Sequence, residues 1–399
     1  MAYNDTFQIK ILIAIALTLL CSSYTLAQDR IEGRVLDAQT REPLPFAKIY
    51  LRKGQGTITN LEGEYVIMAK PTDTITITYI GYEQVKLPAK SIPRRLYLKM
   101  ATSTMEEVTV KPITATLVEI VKKLNKEYSV HRRDRGLYYY RENLTAVRED
   151  TLNVLIEAII QANSAINLRE FAMYKARMVG GEWGLSQVWP FAQTGPMTRD
   201  VSYWKGRFLT TPLYRRASRA FYRRNYHIGY KRIKDITGRS FYKIIFGKKI
   251  DKERLPYVTG TLYVDCESLY PLAFDGQIEN VSLLTTNKGK LHNRICRIYL
   301  HIDYSTINGF LEVENVTAVT DVGFGTRSTI TIYRLDDNIL DGNNIEGLSL
   351  QGMDNIISDV ESIDSDSLFW NDFEIVKRTS QENTIIQNAN NGNKQNNIR

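Results

Sequence analysis

The spacing of apolar residues changes along the chain and divides it into two parts. Over residues 29–110, short runs alternate between apolar and polar positions and end at proline, glycine or asparagine. Residues 46–51 alternate in this way, and residues 73–79 have isoleucine at every second position. Regularly spaced short strands of this kind predict a β-sandwich over residues 28–110.

A different period marks the second part of the chain. Residues 114–128 form the clearest helical pattern, with Leu117, Ile120 and Leu124 on one face. The segments that follow are strand-like, and they predict a mostly antiparallel β domain over residues 111–377 whose sheet curls around the helix or forms a half-barrel. The predicted strand segments are 137–162, Phe241–Phe246, Val258–Cys266, Leu272–Glu279, Arg294–Tyr304, Phe310–Thr320 and Arg327–Tyr333.

The two ends of the chain have their own patterns. A polar start is followed by the apolar run 11–21 and by small residues at Thr25 and Ala27, which predicts a cleavable secretory signal over residues 1–27. The run is shorter than the roughly 20 residues that a membrane span needs. A core helix or lipidation at Cys21 are the alternatives. The tail 378–399 is rich in Asn and Gln, and we expect it to be disordered.

The net charge of +8 is unevenly distributed. Lys205–Arg254 contains sixteen Lys or Arg and three Asp or Glu, whereas Met353–Glu374 contains seven acids and no base. Within residues 203–246 cations alternate with aromatic residues, a pattern typical of protein surfaces that bind an anionic partner such as a nucleic acid, a glycan or a lipid headgroup layer. It is equally typical of a partly buried helical segment with solvated cations. The candidate contact residues for an anionic lipid or lipopolysaccharide are Arg215, Arg216, Arg219, Arg223, Arg224, Lys231 and Arg232.

Four motifs follow one another in the first part of the chain: Ile31-x-Gly-x-Val-x-Asp37, Pro43-Leu-Pro-x-Ala-x-Ile49, Gly56-Thr-x-Thr-Asn-x-x-Gly-x-Tyr65 and Tyr79-Ile-Gly-Tyr82. In this order they resemble the carboxypeptidase-regulatory-like, or transthyretin-like, domain. That module is common at the front of Bacteroidota outer-membrane proteins. The resemblance implies a seven-stranded Greek-key sandwich with a structural or interaction role. It implies no peptidase activity, because the family is named after a non-catalytic appendage of carboxypeptidases.

Two later regions also resemble exported proteins. Met105–Pro112 is similar to the coupling segment that follows this module in TonB-dependent receptors, although a linker strand is the plainer interpretation. Tyr138–Glu142, Glu157 and Asp366–Trp370 resemble parts of uncharacterised Bacteroidota exported proteins. The expected fold class is therefore mainly β. A Greek-key β-sandwich precedes an α+β domain with a curved antiparallel sheet and one or more helices.

The sequence lacks the catalytic motifs that a fixed spacing defines, whereas its scattered Asp and Glu leave a carboxylate pair for glycoside hydrolysis open without marking any one pair. None of the four histidines lies in a zinc-peptidase motif, and the Gly-x-Ser-x-Gly and phosphate-loop patterns are absent. His301 and Asp303 fall on one face of a predicted strand, where a structural hydrogen bond is the plainer interpretation. We therefore predict no catalytic residue, bound metal or cofactor.

The mature chain contains two cysteines, Cys266 and Cys296. Both lie in strand-like segments, so in an oxidising periplasm they would form a disulfide if the strands are neighbours. Two separate buried thiols are the alternative, since a disulfide requires a short Cα separation that the sequence does not provide.

Three functions are compatible with these patterns. The first is a non-enzymatic exported protein at the periplasmic face of the outer membrane, whose β module binds an envelope protein partner. The second is a carrier that encloses an apolar ligand, such as a lipid, under the curved sheet. The third is an enzyme of unrecognised chemistry, for which His301 and Asp303 are the candidate residues. Because the signal peptide directs the chain to the periplasm or outer membrane, nucleic acid is not an expected partner.

Overall fold

A computed structural model gives the architecture of most of the chain. The predicted signal peptide, the stretch Met105–Pro112 and Arg215 lie outside the residues that it describes. The described residues are 28–52, 55–101, 113–130, 136–146, 154–162, 170–180, 212–213, 216–234, 239–249, 256–287, 290–307, 310–323, 326–336, 348–351, 360, 363 and 367–396.

The chain divides into two compact units. The first runs to Thr78 and resumes over Gln84–Leu98, and the second comprises Tyr79–Glu83 and the chain from Lys99 onward. Within the described ranges, none of the helices combines the length and the apolar character that a membrane crossing requires.

The first unit consists of seven strands in two sheets, the number implied by the resemblance. The three-stranded sheet has the order β4-β1-β7, with β1 antiparallel to β4 and parallel to β7. The four-stranded sheet has the order β3-β2-β5-β6 and is antiparallel throughout. The strands are β1 (Asp29–Asp37), β2 (Lys48–Arg52), β3 (Gln55–Ile58), β4 (Glu64–Ala69), β5 (Thr74–Thr78), β6 (Val85–Pro88) and β7 (Arg95–Leu98).

The alternation of apolar residues explains how this unit forms its core. Side chains at every second strand position point to the same face of a sheet. Val35 and Tyr65 in the first sheet and Ile49, Ile75 and Ile77 in the second are completely buried. Burial of this one face of each sheet is what stabilises the unit.

The second unit is built on one large antiparallel sheet of eleven strands. Their order is β11-β12-β13-β14-β15-β16-β17-β8-β9-β10-β18, so most neighbours in space are also neighbours in sequence. The predicted fold class, mainly β with few helices, is confirmed. The strands are β8 (Gly136–Ala146), β9 (Val154–Ala162), β10 (Glu170–Gly180), β11 (Tyr226–Lys234), β12 (Ser240–Lys248), β13 (Tyr257–Asp265), β14 (Pro271–Asn287), β15 (Lys290–Ile307), β16 (Phe310–Gly323), β17 (Thr326–Arg334) and β18 (Leu348–Gln351).

Helices lie against this sheet. The first, α1 (Ile113–Val130), covers the residues for which the sequence predicts a helix. Leu117 and Ile120 of α1 are completely buried in an apolar cluster. The same cluster includes side chains from strands β8 to β17, and we call this side of the sheet its inner face.

The region 203–246 differs from the helical interpretation. Among the described residues of this region, the helical part is the short helix α2 (Arg219–Asn225). Its N-terminal Ser218 accepts a hydrogen bond from the backbone N–H of Phe221 and so caps the first turn. The chain then enters β11 and β12 directly. The apolar alternation of Tyr226, Ile228 and Tyr230 is interrupted by the cations that follow it in β11, so the strand is hard to recognise from the sequence.

The C-terminal tail also differs from expectation. Helix α3 (Ser367–Asp372) precedes the tail, and most of the tail forms helix α4 (Ser380–Asn396), in which Ile385 is buried. Thr379 and Glu382 form a capping box. Glu382 N donates to Thr379 Oγ1 at 3.3 Å, and Thr379 N donates to a Glu382 carboxylate oxygen at 2.7 Å. This start signal outweighs the polar composition on which the expectation of disorder was based.

Candidate functional site

A row of polar residues crosses the outer face of the large sheet. Residues directly opposite each other on neighbouring strands share a face, and the register joins this row from β14 to β10 without interruption. We call it the polar row. Its members, in spatial order, are Asp275, His301, Thr317, Thr331, Arg141, Glu157 and Arg177.

One end of the polar row holds His301 between two carboxylates. Its Nδ1 lies 2.5 Å from Asp275 Oδ1, and its Nε2 lies 3.0 Å from Asp303 Oδ2. Burial by itself lowers the pKa of His301, but the charge of Asp303 and the hydrogen bonds that the ring donates to both carboxylates raise it to about 9. At neutral pH the ring is therefore an imidazolium that donates from both nitrogens.

The sequence predicts that His301 and Asp303 lie on one face of a strand and share a hydrogen bond. They share a strand face as expected, and Asp275 joins them from the neighbouring strand. Asn315 lies directly opposite Asp303, and its amide nitrogen is 3.5 Å from Asp303 Oδ2. Among the residues with described positions, no three His, Cys, Asp or Glu side chains are arranged to hold a metal ion.

The other end of the polar row is a buried ion network centred on Glu157. Arg378 Nε lies 3.0 Å from one oxygen of the Glu157 carboxylate, and Arg177 Nε lies 2.7 Å from the other. Tyr139 donates its hydroxyl to the same carboxylate at 2.5 Å. Burial alone would raise the pKa of Glu157, but the arginines Arg378, Arg177 and Arg141 lower it overall.

This network attaches the C-terminal segment to the sheet. Arg141 Nε lies 3.3 Å from Glu382 of α4, and Arg141 Nη1 donates to the carbonyl of Val376 at 2.8 Å. The indole of Trp370 is almost completely buried, with the Arg177 guanidinium 5.4 Å from its centroid. The ions at this end therefore hold α3 and α4 over β8, β9 and β10.

A second buried carboxyl group lies on the inner face. Glu142 accepts a hydrogen bond from the Tyr140 hydroxyl at 2.6 Å and one from Ser328 Oγ at 3.3 Å. Its direct neighbours on the adjacent strands are Ile156 and Ile330. Burial raises the pKa of Glu142 to about 7, while the two hydroxyl groups lower it in part.

Most of the cations predicted to contact an anionic surface lie at one edge of the sheet. Arg219, Arg223 and Arg224 are exposed on α2, and Lys231 is exposed on β11, which is the outermost strand. Arg232 is half-buried on the same strand, and Arg216, just before α2, is exposed. The structure thus brings these six residues to one edge.

The two cysteines are not joined, and the register shows why. Cys266 follows the end of β13, near Pro271 of β14, whereas Cys296 of β15 is opposite Val281 of β14. Ten residues of strand separate Pro271 from Val281, which is about 33 Å. A disulfide requires Cα atoms within about 7 Å, so of the two alternatives the structure excludes a disulfide between Cys266 and Cys296 and has two separate thiols.

Several of these residues have no distinctive sequence pattern. Asp275 is followed by Gly276, a pair that normally indicates a turn, yet both lie inside β14. Arg378 lies in the segment expected to be disordered. The capping-box sequence Thr379–Glu382 was the available signal for an ordered helix there, whereas nothing marks Arg378 as the partner of Glu157.

Comparison with known proteins bears on the first unit. Residues 31–110 match the family described as the CarboxypepD_reg-like domain. The chain is also 31% identical over 109 residues to the TonB-dependent receptor SusC of Bacteroides thetaiotaomicron. That match covers 27% of this chain and 11% of the receptor. The similarity to the receptor is therefore limited to about a quarter of the present chain.

Two solved structures show a partial likeness. A LolA superfamily protein from Nitrosomonas europaea is 12% identical, and the match covers 55% of this chain and 93% of that protein, with a TM-score of 0.23. A DUF1329 family protein from Desulfovibrio piger is 9% identical, covering 58% and 96%, also with a TM-score of 0.23. Scores of this size do not establish a shared fold.

Proposed function

We propose that this is an exported, non-enzymatic protein of the bacterial envelope that binds a protein partner through its CarboxypepD_reg-like domain, at the periplasmic face of the outer membrane. The observation that carries the proposal is the match of residues 31–110 to that domain together with the 31% identity to an outer-membrane receptor over 109 residues. The predicted signal over residues 1–27 supports export.

The geometry at His301 supports a structural role for the polar row. A general base must accept a proton on a ring nitrogen, but both nitrogens of His301 face carboxylates and its pKa is about 9. The Glu157 network likewise uses its arginines to attach α3 and α4. Both clusters therefore stabilise the sheet.

The outer face of the three-stranded sheet is the candidate docking surface for the partner. Met68 and Tyr97, on the two strands that flank β1, are 45% and 39% exposed. Arg41 lies over the Tyr97 ring at 4.3 Å. Large exposed apolar side chains beside cations are typical of protein interfaces.

Site-specific photo-crosslinking in cells tests the proposal. A photoreactive phenylalanine analogue at Met68 or Tyr97 should give a reproducible adduct with one envelope protein. The same analogue at Thr74, an exposed position on the four-stranded sheet, is the matched control and should not. Adducts with cytosolic proteins alone, or equal labelling from all three positions, would contradict the proposal.

A second candidate function is a carrier for an apolar ligand such as a lipid. The observation in its favour is the inner face, which contributes apolar side chains from ten strands and contains a polar group at Glu142. Lipid extraction and mass spectrometry of the purified protein test it. A carrier should contain a lipid in stoichiometric amount, and protein without bound lipid that also fails to take up a fluorescent fatty acid would exclude this function.

A further inference from the structure

The edge formed by α2, β11 and β12 has an unusual charge arrangement. Between Arg216 and Lys249 the sequence contains eleven Lys or Arg and a single acid, Asp235, which lies outside the described residues. The described residues supply no carboxylate partner to Arg219, Arg223 or Arg224. We call this region the cationic edge.

Two of these cations face each other directly. Lys231 on β11 is the register partner of Lys243 on β12, so the side chains start about 5 Å apart on the same face. Like charges in directly opposite positions destabilise a sheet. A fold that retains such a pair is better explained by an anionic partner than by its own stability.

Cations on an edge strand also prevent edge-to-edge aggregation of sheets. An exposed apolar residue beside them indicates a further role, which is contact with another surface. Ile245 is 46% exposed on β12 and lies on the same face as Lys231 and Lys243, whereas Tyr230, opposite the buried Ile244, lies on the other face. Ile245 lies opposite Gly229, which has no side chain to cover it. Apolar and aromatic side chains among cations are typical of surfaces that rest in a lipid headgroup layer.

The extent of the cationic edge favours a surface rather than a single ligand. Lys231 is five residues along β11 from Tyr226, which is about 17 Å, and α2, which ends where β11 begins, is itself about 10 Å long. Lys249 Nζ donates to the carbonyl of Arg223 at 2.8 Å and so connects the end of β12 to α2. A distributed set of cations matches a layer of anionic headgroups better than one phosphate group.

We propose that the cationic edge docks on the surface of an anionic phospholipid membrane, with Ile245, which lies on the same face as Lys231 and Lys243, entering the headgroup layer. The inference rests on the proposed envelope location and names the surface that the second unit contacts there. Each Lys or Arg near such a surface contributes about 1 kcal/mol, which corresponds to about fivefold in binding.

Sedimentation of the purified full chain with phosphatidylglycerol vesicles tests the proposal. We expect binding that weakens as salt is added, and little binding to phosphatidylcholine vesicles. The double substitution Lys231→Gln with Lys243→Gln should reduce binding about 25-fold. It should also leave the melting temperature unchanged or raise it, because it removes a like-charge pair.

The matched control removes two exposed charges from the first unit, by Lys86→Gln with Lys90→Gln. It should reduce vesicle binding by much less than the variant in the cationic edge. Ile245→Ser should weaken binding without any change of charge.

Absence of vesicle binding, or equal losses in the two charge variants, would overturn the docking proposal. So would tight binding to an acidic polypeptide without binding to vesicles, which would indicate an acidic protein as the partner. Neither result decides whether the protein is located in the envelope, because cell fractionation measures that independently.

Discussion

Asp275 and His301 are directly opposite each other on β14 and β15, with Asp275 Oδ1 2.5 Å from His301 Nδ1. On the other side of the ring, Asp303 Oδ2 lies 3.0 Å from His301 Nε2. The imidazolium therefore links a residue of its own strand to a residue of the next strand. The complete link requires the charged ring, because a neutral imidazole has one N–H group and can donate to only one of the two carboxylates.

The stability of the protein should depend on the protonation of His301. Its folded pKa of about 9 exceeds the ordinary 6.5, so its stabilisation is fully present below about pH 6.5 and is lost as the pH rises through about 9. Urea unfolding across this range should show a decrease that His301→Gln removes, amounting to about 3 kcal/mol at most.

The matched control for this experiment is His227→Gln, at an exposed position on β11. It should retain the decrease between pH 6.5 and 9. Parallel curves for the native protein and His301→Gln would mean that the ring is not held as an imidazolium.

Glu142 should give a pH dependence at lower pH. Its folded pKa of about 7 lies above the ordinary 4.5, so the folded state keeps a proton that the unfolded chain releases. The free energy of unfolding should therefore fall as the pH rises from about 4.5 through 7. Glu142→Gln should remove this slope and stabilise the protein above pH 7 relative to the native chain.

Thermal unfolding at several pH values measures the effect of Glu142. Glu267→Gln, at an exposed position in the turn after β13, is the control and should keep the slope. If Glu142→Gln destabilises the protein equally at pH 5 and pH 8, the carboxyl group is not the source of the pH dependence.

Loss of the Glu157 carboxylate should be costly. Glu157→Gln leaves Arg177 and Arg378 buried without their common counter-charge, and breaking a buried ion network in this way costs about 3–5 kcal/mol. Denaturant unfolding measures the loss. Glu312→Gln, which breaks the partly exposed pair with Arg334, should cost about 1 kcal/mol or less, and equal costs would contradict a central role for Glu157.

Arg378 should control the attachment of the C-terminal helix. Arg378→Met removes both contacts to Glu157 and the hydrogen bonds to the carbonyls of Trp370 and Phe373. Hydrogen exchange of the backbone amides in α4 should accelerate well before exchange in α1. Gln381→Met, at an exposed position of α4, should leave the exchange unchanged, and unchanged exchange in Arg378→Met itself would exclude this role.

The elements that local patterns define were predictable from the sequence. The first unit, helix α1 and strands β12 to β17 all follow from apolar periodicity. The motif around Gly63 also predicts a loop, and Gly63 has a φ of +75° there. These features depend on neighbouring residues, so a single sequence contains enough information to predict them.

The parts that could not be predicted depend on pairing across long distances. Asp275-Gly276 has the composition of a turn, but Gly276 lies inside β14 opposite Gly260. A Cβ atom added at Gly276 would be 2.2 Å from the Thr259 carbonyl oxygen. The glycines thus permit a close approach of two strands. The polar row likewise depends on the register of neighbouring strands. Arg378 contacts Glu157 although the two are 221 residues apart in the sequence.

Cell fractionation is the most direct test of the proposed envelope location. A C-terminally tagged copy should be found in the periplasmic or outer-membrane fraction, and mass spectrometry should show that its N-terminus begins at Gln28. Recovery of the tagged protein in the cytosol with residues 1–27 still attached would contradict the account.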